Sequence, residues 1–216
     1  DCGGSESRSI SMKPLRVAVL ISGSGSTLAN LLACQQRGEL PIEFALVVSS
    51  SPKAGGLRHA EQAAIPAEIV ARKNFADPQA HSQAIFGMCR EHGVQLVVMG
   101  GYVELLAIPD DFANRVINVH PSLIPAFSGH GFYGLRVHTA AIEYGVKLSG
   151  CTVHFVDNHY DQGPIIAQRS CPVSSSDTAE DLQRRVGELE RQLYPEVIAA
   201  IAAGRVSIAG RIVSYM

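Results

Sequence analysis

The sequence predicts an α/β protein with a doubly wound, mostly parallel, Rossmann-like sheet, an antiparallel edge pair and a long C-terminal helix. Three observations support this fold class. Apolar runs rich in β-branched residues alternate with helical patterns in the first half, two strand-like runs follow residue 145 with a short connection, and one long amphipathic pattern comes after them. Right-handed crossovers between alternating strands and helices build such a parallel sheet.

The first βα unit is the clearest local signal. "LRVAVLI" (15–21) is a nearly continuous apolar run, the pattern of a strand covered on both faces. Gly23 and Gly25 interrupt it, and a helical pattern then runs to Gly38. Strand, tight loop and helix therefore succeed one another.

The same alternation continues as far as residue 119, with glycines at the helix ends. In chain order, we predict a strand over 42–49, a helix near 55–64, a short strand over 67–71, a helix over 78–92, and strands over 94–100 and 115–119.

After residue 145 the pattern changes. The runs 146–156 and 164–173 are joined by the seven residues 157–163. Seven residues are too few for a crossover helix, so these strands should pair antiparallel at one edge. A helix is predicted from an N-cap at Asp177 to Gly204, with a kink near Pro195.

Composition favours one globular domain that acts on small molecules. The chain has 216 residues, 46% of them apolar and 18% charged, with a formal net charge of -2. This charge gives no broad reason to expect a nucleic acid or a membrane surface as partner. We expect a flexible N-terminal extension over 1–14, a single domain over 15–216, and a monomer or homodimer.

The expected location is cytoplasmic. No apolar run approaches the roughly 18 residues of a membrane span, and the opening segment lacks the apolar block of a signal peptide. The five cysteines are scattered and form no C-x-x-C pair. Neither a disulfide framework nor a zinc site is indicated, so we expect reduced, mostly buried thiols.

"ISGSGSTL" (21–28) lies between a strand and a helix, where backbone N–H groups and the helix N-terminus favour an anion. As a dinucleotide fingerprint it is poor, because Leu28 stands where a third glycine is needed and no P-loop lysine is present. A tight turn without a ligand is the alternative interpretation.

"VINVHPSLIPAF" (116–127) contains the strongest candidate for chemistry. Asn118 and His120 fall at the end of a strand, and their i, i+2 spacing points both to one side. Pro121 and Pro125 restrict the turn that follows. An amide N–H can donate to an oxyanion and an imidazole can move a proton. The alternative is a structural pair in which His120 caps the loop.

A histidine tuned for proton transfer generally needs a nearby carboxylate. Asp161, in the loop between the two edge strands, is the best candidate, and Asp157 is its rival. Periodicity alone does not decide between them.

Four stretches, in this order and at these separations, resemble the phosphoribosylglycinamide formyltransferases among the folate-dependent formyltransferases: "ISGSGSTL", "NVHPSLIPAF", "GCTVHFVD" and "YDQGPII". The resemblance covers about residues 15 to 208. It implies transfer of a formyl group from the co-substrate 10-formyltetrahydrofolate to the amine of glycinamide ribonucleotide in purine biosynthesis, without a metal.

The resemblance also implies residue roles. Asn118 would donate to the oxyanion, protonated His120 would be a second donor and the proton donor, and Asp161 would raise the pKa of His120 and relay the proton. The implied ribonucleotide contacts are Gly25, Ser26, Thr27, Gly187, Glu188, Leu189 and Glu190. The implied folate contacts are Val103, Glu104, Leu105, Leu106, Asn118, Asp157, Asn158, His159, Tyr160 and Asp161.

Without the resemblance, Glu190 would be a solvated helix charge, and Tyr102 with the neighbouring leucines would be plain core. On its apolar strand, His154 is more typical of a hydrogen-bonded structural histidine than of a ligand. The remaining expectations are surface or loop positions for His130, His138 and His159, and a solvated helix face for Arg184 and Arg185.

Three departures from the family pattern are visible. Thr27 stands where Asn is common. Glu104 replaces a usual Arg and no Arg lies near Pro78, which puts strong binding of the folate glutamate tail in question. The segment 127–138 is longer than in the shorter members, and its glycines are compatible with a mobile lid.

Two rival functions are a related folate-dependent enzyme and a phosphate-binding Rossmann module without catalysis. The first includes sugar-nucleotide N-formyltransferases and formyltetrahydrofolate deformylases. We expect neither enzyme, partly because only about 14 residues precede the first strand, where the deformylase has a regulatory domain. A binding module would have no use for Asn118, His120 and Asp161.

Overall fold

The computed structural model describes residues 13–215. Its strands are β1 (Leu15–Ile21), β2 (Ile42–Ser49), β3 (Ala67–Ile69), β4 (Leu96–Met99), β5 (Val116–His120), β6 (Leu148–Phe155), β7 (Ile165–Pro172), β8 (Val206–Ala209) and β9 (Ile212–Tyr215). Its helices are α1 (Ser26–Gln36), α2 (Gly56–Gln62), α3 (Pro78–Glu91), α4 (Leu135–Tyr144) and α5 (Ala179–Ala202). Most of the predicted N-terminal extension, residues 1–12, lies outside the described residues.

Seven strands form one sheet in the order β3-β2-β1-β4-β5-β6-β7. The neighbours from β3 to β5 pair parallel, whereas β6 pairs antiparallel with β5 and β7 antiparallel with β6. The predicted fold class, with its antiparallel pair at one edge, is therefore confirmed. The strands β8 and β9 form a separate hairpin.

Both faces of the sheet are covered by apolar side chains. On one face, the core cluster includes Leu28 from α1, Ala141 from α4 and Val186 from α5. On the other face, Ile85 and Phe86 from α3 pack against the central strands. Because both faces are buried, the sequences of β1, β2 and β4 are nearly continuous apolar runs.

The strand register places polar residues at the carboxyl edge of the sheet. Asn118 on β5 pairs with Met99 on β4 and with His154 on β6. Just inside this edge, the Tyr194 hydroxyl of α5 lies 3.1 Å from the Met99 carbonyl and 3.0 Å from the Ile117 carbonyl. These two hydrogen-bond contacts hold α5 against β4 and β5 near their carboxyl ends, where ligands bind in such sheets.

The predicted N-cap of the long helix is wrong by one residue. Thr178 caps α5, since its side chain accepts from the Asp181 amide and Asp181 in return accepts from the Thr178 amide. Asp177 instead accepts from Arg185 at 2.6 and 2.9 Å. Arg185 is therefore paired rather than a solvated charge. The helix continues through Pro195 as one element.

Two elements were not predicted, the helix α4 and the hairpin β8–β9. Helix α4 carries His138, which is 2% exposed and whose Nδ1 has no hydrogen-bond partner within the described residues. Burial lowers the pKa of His138 to about 4. The expectation of a surface His138 is therefore wrong, because α4 packs against α5 and covers it.

Two further expectations concern membranes and thiols. Among the helices within residues 13–215, none combines the length and apolarity needed to cross a bilayer. The four cysteines in this range are free and buried, as expected: Cys34, Cys89, Cys151 and Cys171.

Candidate active site

A cleft of about 430 Å³ opens at the carboxyl ends of β4 and β5. Its walls come from the start of α1, the loop after β4, the segment before α4, the loop between β6 and β7, and one residue of α5. This is the edge where ligands bind in open α/β sheets, and the volume falls within the range of ordinary ligand pockets.

Four polar side chains line this cleft beside one another: Asn118, His120, His154 and Asp161. We call these four residues the polar wall. Asn118 and His120 come from β5, His154 from β6, and Asp161 from the loop after β6. The predicted trio of Asn118, His120 and Asp161 is thus brought together, and His154 joins it.

The imidazole of His120 is held from two sides. Its Nε2 lies 2.9 Å from the Phe127 carbonyl, and its Nδ1 lies 3.4 Å from Oδ2 of Asp161. A carbonyl oxygen only accepts, so Nε2 must carry a hydrogen. The proton that His120 can gain or lose is therefore the one on Nδ1, on the side of the carboxylate.

Asp161 is fixed by contacts from three parts of the chain. The Gly129 amide donates to its Oδ2 at 3.0 Å, and Nε2 of His154 lies 3.6 Å from its Oδ1. Burial alone would raise the pKa of Asp161, but the contacts with His154, His120 and Gly129 outweigh it, and the pKa is lowered. The carboxylate is therefore ionised at neutral pH.

Of the two candidate carboxylates, Asp161 is the one beside His120. The rival Asp157 accepts from the backbone amide of His159 at 2.8 Å, a contact within its own turn. Asp161 adopts a φ of 54°, a backbone angle uncommon for a residue with a side chain. This turn carries its carboxyl group back toward β5.

Two opposite effects act on the pKa of His120. Burial is the largest effect and lowers the pKa, while the Asp161 carboxylate raises it, as predicted for this pair. The pKa lies below its ordinary value as a result. The protonated state expected of His120 during the reaction stays a prediction.

His154 is a buried, hydrogen-bonded histidine, as its apolar strand predicts, and it also lies in the polar wall. It is 1% exposed, and its Nδ1 lies 2.8 Å from the Phe155 carbonyl. By the same reasoning as for His120, Nδ1 carries a hydrogen. The neutral ring then has an acceptor at Nε2, which lies 3.5 Å from Nδ2 of Asn118. His154 thereby orients the carboxamide of Asn118.

A second, smaller cleft of about 60 Å³ adjoins the first between α1 and α5. Ser26, Thr27 and Glu190 line both clefts. With Arg191, which lines the smaller one, we call these residues the helix corner. Burial raises the pKa of Glu190 to about 7, with Arg191 acting in the opposite direction.

Gly25 shapes the helix corner through its backbone. Its φ is 75°, and a Cβ atom there would lie 2.3 Å from the Cα of Gly56. Helix α1 has no side-chain cap and no acidic residue in its first turn. The first amides of α1 therefore have no side-chain cap, and the anion site predicted for the glycine loop stays a prediction.

The loop predicted to contact folate lies along one side of the larger cleft. All four residues of 103–106 line it, as do His159 and Tyr160 from the opposite loop. The predicted contacts that line neither described cleft are Gly25, Asp157, Asn158, Glu188 and Leu189. Asn158 instead accepts from the Ile108 amide at 2.8 Å, and Leu189 packs against the core.

The segment proposed as a lid is only partly a loop. Residues 129 and 131–134 line the cleft, whereas 135–138 form the first turn of α4. The loop part contacts the polar wall through its backbone, by the Phe127 carbonyl and the Gly129 amide. The prediction of a loop is thus wrong for 135–138, and the role of the stretch as a mobile lid stays a prediction.

The sequence pattern of one family, described as formyl transferase, matches residues 15–198. The chain belongs to the formyl transferase family. Among related formyl transferases, it is 37% identical to the chloroplastic phosphoribosylglycinamide formyltransferase of Vigna unguiculata over 91% of this chain and 64% of that one. It is 36% identical to the phosphoribosylglycinamide formyltransferase of Haemophilus influenzae, over 89% of this chain and 90% of the relative.

Solved structures of family members superpose closely. The glycinamide ribonucleotide transformylase 1 of Symbiobacterium toebii has a TM-score of 0.88 and 40% identity, with 94% of this chain and 95% of that chain covered. A formyltetrahydrofolate deformylase from Pseudomonas syringae reaches 0.82 at 27% identity, over 94% of this chain and 66% of its own. The chain thus spans less than two thirds of the Vigna relative and of that deformylase.

Proposed function

We propose that the protein transfers the formyl group of 10-formyltetrahydrofolate to the amine of glycinamide ribonucleotide, a step of purine biosynthesis. In this reaction the amine nitrogen bonds to the formyl carbon and the bond from that carbon to N10 of the folate breaks. The amine gives up a proton and N10 receives one, so that formyl-glycinamide ribonucleotide and tetrahydrofolate leave.

The observation that carries this proposal is the convergence of Asn118, His120 and Asp161 on one cleft. An amide donor, an imidazole and a carboxylate are the groups that acyl transfer with proton movement needs. The family membership and the names of the relatives support the same reaction. Neither rival function accounts equally well for both the polar wall and the adjoining helix corner.

In the proposed mechanism, Asn118 stabilises the charge that develops on the formyl oxygen. Its carboxamide nitrogen already donates to Nε2 of His154, which leaves its second N–H for the oxyanion. A donor held in place before the reaction costs no reorganisation when the charge appears. The resulting orientation is the contribution of His154 to the reaction.

His120 takes up the amine proton at Nδ1 as the attack proceeds, and Asp161 stabilises the imidazolium. The carboxylate lies 3.4 Å from Nδ1 and is ionised, which favours the charged ring once the proton arrives. The Phe127 carbonyl holds the opposite nitrogen, so the ring keeps one orientation throughout. The proton is then delivered to the leaving nitrogen.

The two substrates would enter from different sides. The pteridine of the folate fits beside the loop 103–106, all four residues of which line the cleft and three of which carry apolar side chains. The ribonucleotide fits the helix corner, with its phosphate at the amides of Ser26 and Thr27 and its ribose hydroxyls at Glu190. The two clefts share three lining residues, Ser26, Thr27 and Glu190. A ribonucleotide bound at the helix corner would therefore place its amine next to the larger cleft, where the formyl group would lie.

The test is an assay with purified protein, 10-formyltetrahydrofolate and glycinamide ribonucleotide. We expect tetrahydrofolate and formyl-glycinamide ribonucleotide to appear in equal amounts, and no turnover when the ribonucleotide is omitted. Release of formate without the amine acceptor would instead assign a deformylase, which the likeness to the Pseudomonas syringae structure makes the second candidate. Binding without turnover would contradict both activities.

A further inference from the structure

The two clefts are poor in arginine and lysine, although three histidines line the larger one. Within residues 13–215, their carboxylates are Glu104, Asp161 and Glu190, and Arg191 is the only arginine or lysine that lines either cleft. A phosphate would bring further negative charge into this surrounding. Amide dipoles at a helix N-terminus offset only part of it, so a cation near the helix corner has a large effect on binding.

Arg191 is placed to provide that cation. It follows Gly187 by about one turn of α5, and its Nη1 lies 3.5 Å from the position that a Cβ of Gly187 would take. The guanidinium therefore lies in van der Waals range of the position that a side chain at 187 would take. The Arg191 carbonyl accepts from Nδ2 of Asn30 at 2.8 Å, which ties this turn of α5 to α1.

The guanidinium of Arg191 has no hydrogen-bond or ion-pair partner among the described residues, unlike the other arginines of the same helix, although its charge acts on Glu190. Arg184 pairs with Asp181, and Arg185 pairs with Asp177. Across residues 13–215, no ion pair or side-chain hydrogen bond involves the Arg191 guanidinium. Its two-pronged set of N–H donors matches the oxygens of a phosphate better than any other group at the helix corner.

We propose that Arg191 is the cationic contact for the phosphate of the acceptor substrate and determines the preference for a phosphorylated ribonucleoside. The inference rests on the proposed function. The amides at the start of α1 supply neutral donors, Arg191 supplies the charge, and Gly187 leaves room for both the guanidinium and the phosphate.

Steady-state kinetics of Arg191→Ala test this role. We expect the KM for glycinamide ribonucleotide to rise about tenfold to hundredfold, with kcat and the KM for folate unchanged. Arg191→Lys keeps the positive charge but not the paired N–H donors of the guanidinium. Its KM for glycinamide ribonucleotide should therefore lie between those of the wild type and Arg191→Ala. Arg184→Ala is the matched control, because it removes a charge from the same helix away from both clefts.

Two probes separate a phosphate contact from a structural effect. With the acceptor that lacks the phosphate, glycinamide ribonucleoside, Arg191→Ala should behave like the wild type. Inorganic phosphate should inhibit the wild type competitively against the ribonucleotide and inhibit Arg191→Ala more weakly. Equal losses on both acceptors, or equal inhibition by phosphate, would overturn the inference.

The proposed function can fail separately. If the wild type transfers no formyl group, the reaction is wrong, and the role of Arg191 is then decided by titration with inorganic phosphate alone. Weaker phosphate binding by Arg191→Ala would still support the phosphate contact. Equal binding by the two proteins would refute it.

Discussion

The polar wall and the helix corner lie in adjoining clefts but are built differently. In the polar wall, His120 is 4% and His154 is 1% exposed, and each side chain contacts another member of the group. The helix corner instead combines free backbone amides with an exposed arginine. Buried polar groups depend strongly on their partners, whereas exposed ones act nearly alone. Changes in the wall should therefore affect the rate, and changes in the corner should affect binding.

The largest expected effect comes from removing the oxyanion donor of the wall. Asn118→Ala should lower kcat by about two to three orders of magnitude and leave the KM for the ribonucleotide nearly unchanged. Steady-state kinetics, with the melting temperature as a check on folding, measure this. A loss of less than about tenfold would remove Asn118 from the proposed role and weaken the contrast between wall and corner.

Removing the charge of Asp161 should have the next largest effect. Asp161→Asn should lower kcat by about a hundredfold. It should also lower the pKa of His120 further, because burial then acts without the opposing carboxylate. NMR titration of the His120 ring measures this shift in the ligand-free protein. Asp157→Asn is the control, since that carboxyl contacts only its own turn; equal results for the two variants would contradict the assignment.

A change in the helix corner should act on binding and stability instead. Gly25→Ala places a methyl group against Gly56 at a φ of 75°, which should cost about 2 kcal/mol of unfolding free energy. It should raise the KM for the ribonucleotide more than it lowers kcat. Gly23→Ala is the matched control, because a Cβ there meets nothing within 4 Å. Urea denaturation and kinetics distinguish the pair, and a Gly25→Ala variant as stable as Gly23→Ala would refute the close packing.

The smallest expected effect concerns Glu190, whose pKa burial raises from 4.5 to about 7. At a pH between these two pKa values, the Glu190 carboxyl has lost its proton in the unfolded chain but still holds it in the folded protein. Rising pH therefore destabilises the folded protein across this window. The full effect would be about 3 kcal/mol, and the half-buried position of Glu190 reduces it to about 1–2 kcal/mol through screening by solvent. Glu190→Gln has no such proton, so its stability should fall less between about pH 5 and pH 8. Denaturation at both pH values checks this, and identical pH dependence would contradict the raised pKa.

Local sequence patterns predicted most of the sheet, because two-sided burial leaves continuous apolar runs. They also placed Asn118 and His120 on one side of β5, since side chains alternate along a strand. The role of His154 was not predictable in this way. It faces Asn118 only through the antiparallel register of β5 and β6, and register is a property of the assembled sheet.

Other errors arose from competition between local signals. Thr178 and Asp181 form the capping box of α5, and their T-x-x-D spacing is present in the sequence next to the equally suitable Asp177. The start of α4 follows a glycine-rich stretch that predicted a loop, so its buried His138 was placed at the surface. The hairpin β8–β9 turns at Gly210 and Arg211 between two runs of only four residues each, which give a weak strand signal in the sequence.

Several expectations stay predictions. These are the single domain over 15–216, the roles of the site residues, the monomer or homodimer, the cytoplasmic location and the weaker hold on the folate glutamate tail. The last of these depends on Glu104, which lines the cleft beside the apolar loop. Its carboxylate would repel the acidic tail of a folate that passes close to it.

The hydroxyl of Tyr194 has one hydrogen and two carbonyl acceptors, on Met99 and Ile117. Tyr194 follows Glu190 by about one turn of α5, and Ile117 directly precedes Asn118 on β5. Under the substrate placement proposed above, this phenol fixes the spacing between Glu190, the proposed contact of the acceptor substrate, and Asn118, the proposed donor to the reacting carbonyl. A sub-ångström drift of α5 along the sheet would change the attack distance without altering any residue that touches a substrate.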